Sequence, residues 1–326
     1  MTRTWFVRFC CLALTIMVCT LGWAQTKGGK SFKRAQPPKF DKPNSNFFAD
    51  AFKDGLQGER PGNLGQPGTA VAVNTGGKAP VTGGPAAPAG GVAGSGWAGV
   101  ISGDTLERIV KEMKKQVDTG VTTPSDFAGK GYKAARRDFS VLAMTFGIIG
   151  EYDGEVRWKA NAPVARDEFA RTAANSKVGT TGVFNEAKKR KEELQDLIGG
   201  ANPFEGKNGD AKASWKDVCN RTPLMQHLES VFEPRLKPAC SDKGAFTANA
   251  DKLLYDAEIF AAIGAVLAKE GMEDADTSEY TAICNKLKAA SLEIVDAVKT
   301  KNFDKASKAA SDIGKSCTDC HENYRS

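Results

Sequence analysis

The feature that most constrains the fold is the sequence Cys317-Thr318-Asp319-Cys320-His321, close to the C-terminal end of the chain. Two cysteines three residues apart, followed at once by a histidine, form the attachment signature of c-type haem. Both thiols add to the porphyrin vinyl groups, and the imidazole binds the iron. Residues three apart share one face of a helix, and the next residue lies about 100° further round. The spacing therefore predicts that Cys317, Cys320 and His321 hold one haem c from a single helix.

The residues before this motif predict the helix itself. Apolar side chains recur at steps of three and four, with lysines and acids between them: Phe303, Ala306, Ala310, Ile313, Cys317, Cys320 and Tyr324. The haem would then lie on the buried face of a C-terminal helix. A zinc site would need two further ligands, and a thioredoxin-like cysteine pair would normally open a helix after a strand. Both readings are therefore less favoured than covalent haem.

The N-terminus has the pattern of an export signal. Arg3 and Arg8 precede an apolar run through Leu21, and Gly22-Trp23-Ala24 offers small residues at the two positions that a signal peptidase reads. We predict a signal peptide over residues 1–24, cleaved before Gln25, and a periplasmic or otherwise exported protein. An uncleaved membrane anchor is the alternative, because the run is near the lower length limit for a span. Export also agrees with covalent haem, which bacteria attach outside the cytoplasm.

Residues 25–103 are rich in glycine, proline, alanine and polar residues. Such a segment cannot bury enough apolar surface to offset the entropy of ordering, so we predict a disordered linker. The formal net charge of the chain is +6, but residues 27–78 alone contain nine Lys/Arg against four Asp/Glu. Without the signal and this segment the chain is close to neutral. The composition therefore gives no basic folded face and no reason to expect a nucleic-acid partner.

From Asp104 onward the pattern is helical, and no strand pattern competes with it. Residues 104–210 form a first set of four predicted helices, which begin near Asp104, Ser125, Val164 and Phe184. Residues 211–326 form a second set, at about 222–235, 247–270, 277–300 and 303–324. The inward residues of the first two helices are Leu106, Ile109, Val110, Met113 and Val117, then Phe139, Leu142, Phe146 and Ile149. We therefore predict an all-α protein of two helical bundles.

The two sets suggest a duplication, with weak sequence support. Phe303-Asp304-Lys305-Ala306 resembles Phe184-Asn185-Glu186-Ala187 at the start of each fourth helix. Carried onward from Phe184, the place of the haem motif falls on Ile198 to Asn202, where there is neither cysteine nor histidine. We expect the first bundle to carry no covalent haem and to serve as a partner or docking surface.

A terminal Cys-x-x-Cys-His followed by Tyr324-Arg325, closing a set of four helices, resembles the class II c-type cytochromes, cytochrome c prime and its low-spin relatives. The resemblance covers roughly residues 215–326, with the motif specific and the helices matching only in pattern. It implies an antiparallel up-down-up-down bundle with haem c among its helices. In that topology the start of the first helix lies beside the end of the fourth. The residue opposite His321 across the iron should then come from near Arg221.

Met225 is the candidate for this distal position. Low-spin members of the family place an arginine four residues before the methionine that binds iron, and Arg221 with Met225 repeats that spacing. The resemblance also makes Arg221 a candidate propionate contact, with Arg325 a weaker one. Plain core packing is the alternative role for Met225.

His227 is the other histidine, and it lies about 200° round a helix from Met225, so both cannot face the iron. It is the alternative sixth ligand and otherwise a surface or packing residue. Pro223 departs from the long first helix of the family. It can stand at the first position of a short helix capped by Thr222, which keeps Met225 in the first turn.

Three cysteines remain outside the signal and the motif: Cys219, Cys240 and Cys284. In an oxidising compartment a Cys219–Cys240 bridge would close a loop of about 20 residues and contribute about 3 kcal/mol. Three buried free thiols are the alternative.

These observations favour an exported monohaem electron carrier with His/Met ligation, because a six-coordinate iron rearranges little during transfer. The alternative is a five-coordinate haem protein that binds a diatomic gas such as NO or CO. An enzyme is not expected. Besides His227 there is no spare imidazole, and no acid/base pair is evident to stand over an open iron site. The carrier would need a redox partner protein. By analogy with the family, a homodimer is a further expectation.

Overall fold

The computed structural model describes residues 96–211 and 213–325, and within these ranges the chain is helical and contains no strand. The predicted all-α class is confirmed. The predicted signal peptide, residues 1–24, and residues 25–95 of the predicted linker lie outside the described residues.

The long helices follow the two predicted sets of four. The first set is α1 (Gly103–Gly120), α2 (Tyr132–Glu151), α3 (Ala162–Asn175) and α4 (Thr181–Gly199). The second set is α5 (Arg221–Val231), α6 (Ala250–Leu267), α7 (Ser278–Lys299) and α8 (Phe303–Tyr324). Short helical turns join them, among them Gly96–Gly99, Pro124–Asp126, Trp215–Val218, Lys237–Ala239 and Lys243–Ala248.

Local signals set several of the helix ends. The side chains of Ser102, Thr180 and Asn302 accept hydrogen bonds from the backbone N–H three residues later, at the starts of α1, α4 and α8. Helix α4 ends at Gly200, whose φ of 97° is left-handed and whose N–H returns to the last turn. Caps and a terminal glycine therefore explain why the sequence pattern located these helices well.

The predicted apolar faces are the buried faces. All nine residues predicted to point inward from the first two helices are buried. In α8 the predicted stripe packs as expected, with Ala306, Ala310 and Ile313 buried. Its other members, among them Cys317, Cys320 and Tyr324, are partly buried against the same core. Burial of apolar side chains, on one stripe of α1 and α8 and nearly all round α2 and α6, is thus the main source of stability in each bundle.

The predicted linker is too long at its C-terminal end. Residues Gly96–Gly99 form a 3₁₀ turn, and the side chains of Trp97 and Ile101 are buried. Trp97 packs against Trp215 with ring centroids 5.8 Å apart, and its indole N–H donates to Glu151 at 2.8 Å. Residues 96–103 therefore belong to the fold. Trp97 lies in a glycine-rich segment, but it packs against Trp215, which is distant in the sequence.

Helix α5 also begins earlier than predicted. Its N-cap residue is Asn220 rather than Thr222, so Pro223 lies within the first turn, where a missing N–H costs no helical hydrogen bond. At the other end Pro234 lies within a π turn, Phe232–Leu236, which continues into Lys237–Ala239. The result is a helical stretch from 221 to 239 with one widened turn.

The two bundles pack against each other within one compact unit. Helix α2 contacts α5 as well as α1 and α3, and α1 also contacts α6. At the start of α1 the Ser102 hydroxyl donates to Glu258 of α6 at 2.7 Å. The Arg108 guanidinium lies 4.3 Å from the centroid of the Tyr255 ring. The seam between the bundles thus combines apolar packing with specific polar contacts.

Helices α6 and α7 approach most closely at Gly264. A Cβ atom built there would lie 3.0 Å from both the carbonyl oxygen of Cys284 and the amide nitrogen of Lys288. Both neighbours are backbone atoms of α7, so neither can rotate away. The glycine therefore sets the spacing of these two helices.

We expect Gly264→Ala to lower the free energy of unfolding by about 1–3 kcal/mol, because the added methyl must push two helix backbones apart. Thermal and urea unfolding would measure the change. Gly150→Ala in α2 is the matched control, since its Cβ would meet only Ala162 at an ordinary 3.7 Å. It should be neutral or stabilise the protein by up to about 1 kcal/mol through helix propensity. Equal losses in the two variants would contradict the close approach.

Candidate functional site

The predicted attachment residues lie on the last two turns of α8. Cys317 and Cys320 are half-buried and pack against the apolar core, whereas His321 is exposed. The imidazole of His321 makes no hydrogen bond or ion pair with another side chain of residues 96–325. Two thiols therefore share one face of the helix, and an exposed imidazole follows directly.

Both thiols are protonated at ordinary pH. Burial raises the pKa of Cys317 to about 11, helped by the nearby Cys320 and Glu233. Burial also raises the pKa of Cys320, against the opposing effect of the Arg221 guanidinium. These effects identify the neighbours of each thiol. Cys317 faces the end of α5, and Cys320 faces its beginning.

Helix α5 consequently runs antiparallel to this part of α8. Arg221 at its start lies near Cys320, and Phe232 beyond its end lies near Gly314, where a Cβ would be 3.6 Å from the Phe232 ring. Met225 is one turn after Arg221 on the same face of α5. The two flanking contacts place Met225 at about the level of residues 316–321. The side chain is partly buried and packs against the core.

Arg221 is buried and already has ionic partners. Its guanidinium donates to Glu273 at 2.7 Å and to Asp274, and lies 5.5 Å from the centroid of the Tyr280 ring. Asp274 has a left-handed backbone with φ of 62°, which aspartate tolerates better than most residues. A haem propionate at Arg221 would compete with these two carboxylates. The other candidate, Arg325, is exposed just after α8.

His227 lies on the opposite face of α5 and is buried there. Burial lowers its pKa to about 3, and the nearby guanidinium groups of Arg137 and Arg235 act in the same direction. Its Nε2 has no hydrogen-bond partner among the described residues. Because Arg137 belongs to α2, this face of α5 is directed at the first bundle. His227 is therefore a neutral packing residue of the seam between the bundles.

The Cys219–Cys240 bridge is a wrong expectation, because both cysteines are free and buried. They flank the helical stretch 221–239, which at 1.5 Å per residue separates them by roughly 28 Å. A disulfide needs Cα atoms about 4.4–6.8 Å apart. Cys284 is also free and buried, so the alternative of three buried thiols is the correct one.

Several neighbours of the site were not predicted from the sequence. The rings of Tyr280 and Tyr324 meet edge to face with centroids 5.0 Å apart, and Tyr280 is buried beside Arg221 and Cys284. Cys284 lies one turn beyond Tyr280. The antiparallel register of α7 and α8 across a three-residue connection could have revealed the tyrosine pair. Helical periodicity gives no indication that Glu273 and Asp274, in the loop before α7, pair with Arg221.

The residues present fit haem c. Two half-buried thiols open from one helix face onto apolar side chains, and an unpaired imidazole follows directly. Met225 lies on helix α5 at about the same level and packs against the same core. This is the donor set that covalent attachment and axial ligation require.

Within the described residues, no helix combines the length and the apolarity needed to cross a bilayer.

Comparison with protein families gives a match to Cytochrome C' over residues 273–325. The matched region includes α7, α8 and the acidic loop before them, with Cys317, Cys320 and His321, but neither Arg221 nor Met225. No curated protein and no solved structure matches the chain. The C-terminal part of the chain, residues 273–325, thus matches the Cytochrome C' family, and this match is consistent with a class II c-type cytochrome.

Proposed function

We propose that this protein is an exported electron carrier with one haem c, held by thioether bonds from Cys317 and Cys320. His321 is the proximal iron ligand and Met225 the distal one. Residues 211–326 form the haem domain, and residues 104–210 form a bundle without haem. The carrier exchanges electrons with a redox partner protein and works in the periplasm or another exported location.

The observation that carries the proposal is the alignment of α5 with α8. The Arg221 guanidinium acts on the Cys320 thiol and the Phe232 ring lies near Gly314, which supports a position for Met225, between them, on the side of α5 that is turned toward α8. His227, the competing ligand, is directed at α2 instead. A soft thioether on one helix and an imidazole on the other support a six-coordinate iron.

Each side chain has a separate task in this proposal. The two thioether bonds fix the orientation of the group relative to α8, and the apolar stripe of α8 excludes water from one side of it. His321 is exposed and unpaired, so its imidazole can turn toward the iron without breaking a protein contact. Haem iron supplies the one-electron chemistry, and a methionine ligand favours its ferrous state.

Arg221 anchors the start of α5 to the loop before α7 through Glu273 and Asp274. A propionate at Arg221 would compete with these two carboxylates for the guanidinium, and the exposed Arg325 is the second candidate for a propionate contact. The gas-binding alternative differs at one residue. If Met225 does not bind iron, the same bundle holds a five-coordinate haem, and the family match over residues 273–325 fits both cases.

Met225→Ala should open the sixth coordination position, because it removes the soft ligand while keeping a good helix former. The optical spectrum should change from low spin to high spin, and the reduced protein should bind carbon monoxide. Met225→His should restore a low-spin spectrum at a lower reduction potential.

Met113→Ala is the matched control, since Met113 is a buried methionine of the first bundle. It and His227→Ala should leave the spectrum unchanged. A low-spin spectrum that survives Met225→Ala and disappears in His227→Ala would transfer the ligand role to His227. A high-spin spectrum in the unmutated protein would favour the gas-binding function.

Mass spectrometry should find one covalent haem per chain, because the described part of the first bundle contains neither cysteine nor histidine. Cys317→Ser and Cys320→Ser should each leave one thioether bond, and the double variant should release its haem on acid extraction. Cys284→Ser is the control and should keep haem attached. Haem that stays bound to the double variant, or a second haem per chain, would contradict the assignment.

A further inference from the structure

Cys284 lies on α7 at the level of the attachment motif of the neighbouring helix α8. It is on α7, one turn after Tyr280, and Cys320 is on α8, one turn before Tyr324. The two tyrosine rings meet with centroids 5.0 Å apart, which fixes the register of these antiparallel helices. One turn further along the seam from the tyrosine pair, Cys284 and Cys320 face each other. The effect of Cys320 on the pKa of Cys284 agrees with this proximity.

We propose that Cys284 and Cys320 form a reversible disulfide in the haem-free protein, which removes one of the two thiols needed for haem attachment. The inference rests on the proposed function only in this consequence, since the bridge itself needs no haem. It assigns a role to a buried cysteine that the electron-carrier function leaves unused. Haem attachment would then require prior reduction of the chain.

The competing bridge is Cys317–Cys320 within the motif. Side chains three residues apart on a helix have Cβ atoms about 5–6 Å apart, whereas a disulfide needs about 3.5–4.5 Å. That bridge would distort the last turns of α8. A bridge across the seam joins two intact helices, so it avoids this distortion.

The oxidation is a thiol–disulfide exchange. The oxidant is an external disulfide, of the class found in oxidising compartments. The half-buried Cys320, as thiolate, attacks one sulfur of the oxidant, forms a mixed disulfide and releases one thiol. Cys284 then loses its proton and attacks the Cys320 sulfur, which releases the second thiol. Two protein thiols become one disulfide, and the disulfide of the oxidant becomes two thiols.

The test uses the full-length chain produced without haem-attachment machinery, reduced and then incubated with oxidised glutathione. After free thiols are alkylated, trypsin separates Cys284 in residues 270–286 from Cys317 and Cys320 in residues 316–325. We expect a cross-link between these two peptides in about tenfold excess over a bridge within residues 316–325, because the latter strains the helix. Reduction with dithiothreitol should reverse it, and circular dichroism should show unchanged helix content.

Three variants identify the partners. Cys317→Ser should keep the cross-link, whereas Cys320→Ser and Cys284→Ser should abolish it. Loss of the cross-link in Cys317→Ser, or a bridge found only within residues 316–325, would overturn the proposal. Cys284 that remains fully alkylated after oxidation would do the same.

A second measurement tests the consequence for haem. The oxidised chain should gain no second thioether bond until a thiol reductant is added, as judged by mass. If the oxidised chain gains haem through both Cys317 and Cys320 without a reductant, the disulfide does not prevent attachment, and this consequence is refuted. Failure of the cross-link leaves the proposed electron-carrier function intact, whereas a chain that forms the cross-link and never accepts haem would reject that function alone.

Discussion

Helix α5 is buried on two opposite faces, and the arrangement of the site depends on this. One face, with His227, packs toward Arg137 of α2 in the first bundle. The other, with Arg221 and Met225, faces α7 and α8 in the second. Because residues two apart on a helix point in nearly opposite directions, fixing one face fixes the other. The packing of His227 against the first bundle therefore leaves Arg221 and Met225 on the face of α5 that is turned toward the second bundle.

Polar contacts make this orientation specific. The Arg221 guanidinium is held by two carboxylates and the Tyr280 ring at one end of α5. Near the other end Arg235 donates twice to the buried Asp256 of α6. Apolar packing alone would tolerate a small rotation of a short helix. An ion pair with one buried partner, here Arg221 or Asp256, tolerates it poorly, since an unpaired buried charge is costly. The two arginines thus restrict the rotation and the sliding of α5.

The seam between α7 and α8 imposes a second constraint. A short connection and the tyrosine pair fix its register, and Gly264 lets α6 lie close against the other side of α7. This register brings a third cysteine beside the attachment motif. The same packing that positions Cys317 and Cys320 therefore also creates the thiol pair for which we propose reversible oxidation.

The sequence by itself determined the elements of this protein. Helix positions and buried stripes could be predicted because they depend on residues three or four apart and on local caps. Contacts between distant residues were decided by the tertiary structure. The burial of Trp97 against Trp215, the pairing of Arg221 with Glu273 and Asp274, and the direction of His227 carry no periodic signal. The Cys219–Cys240 bridge failed for a related reason, because closeness in sequence is not closeness in space once a helical stretch lies between two cysteines.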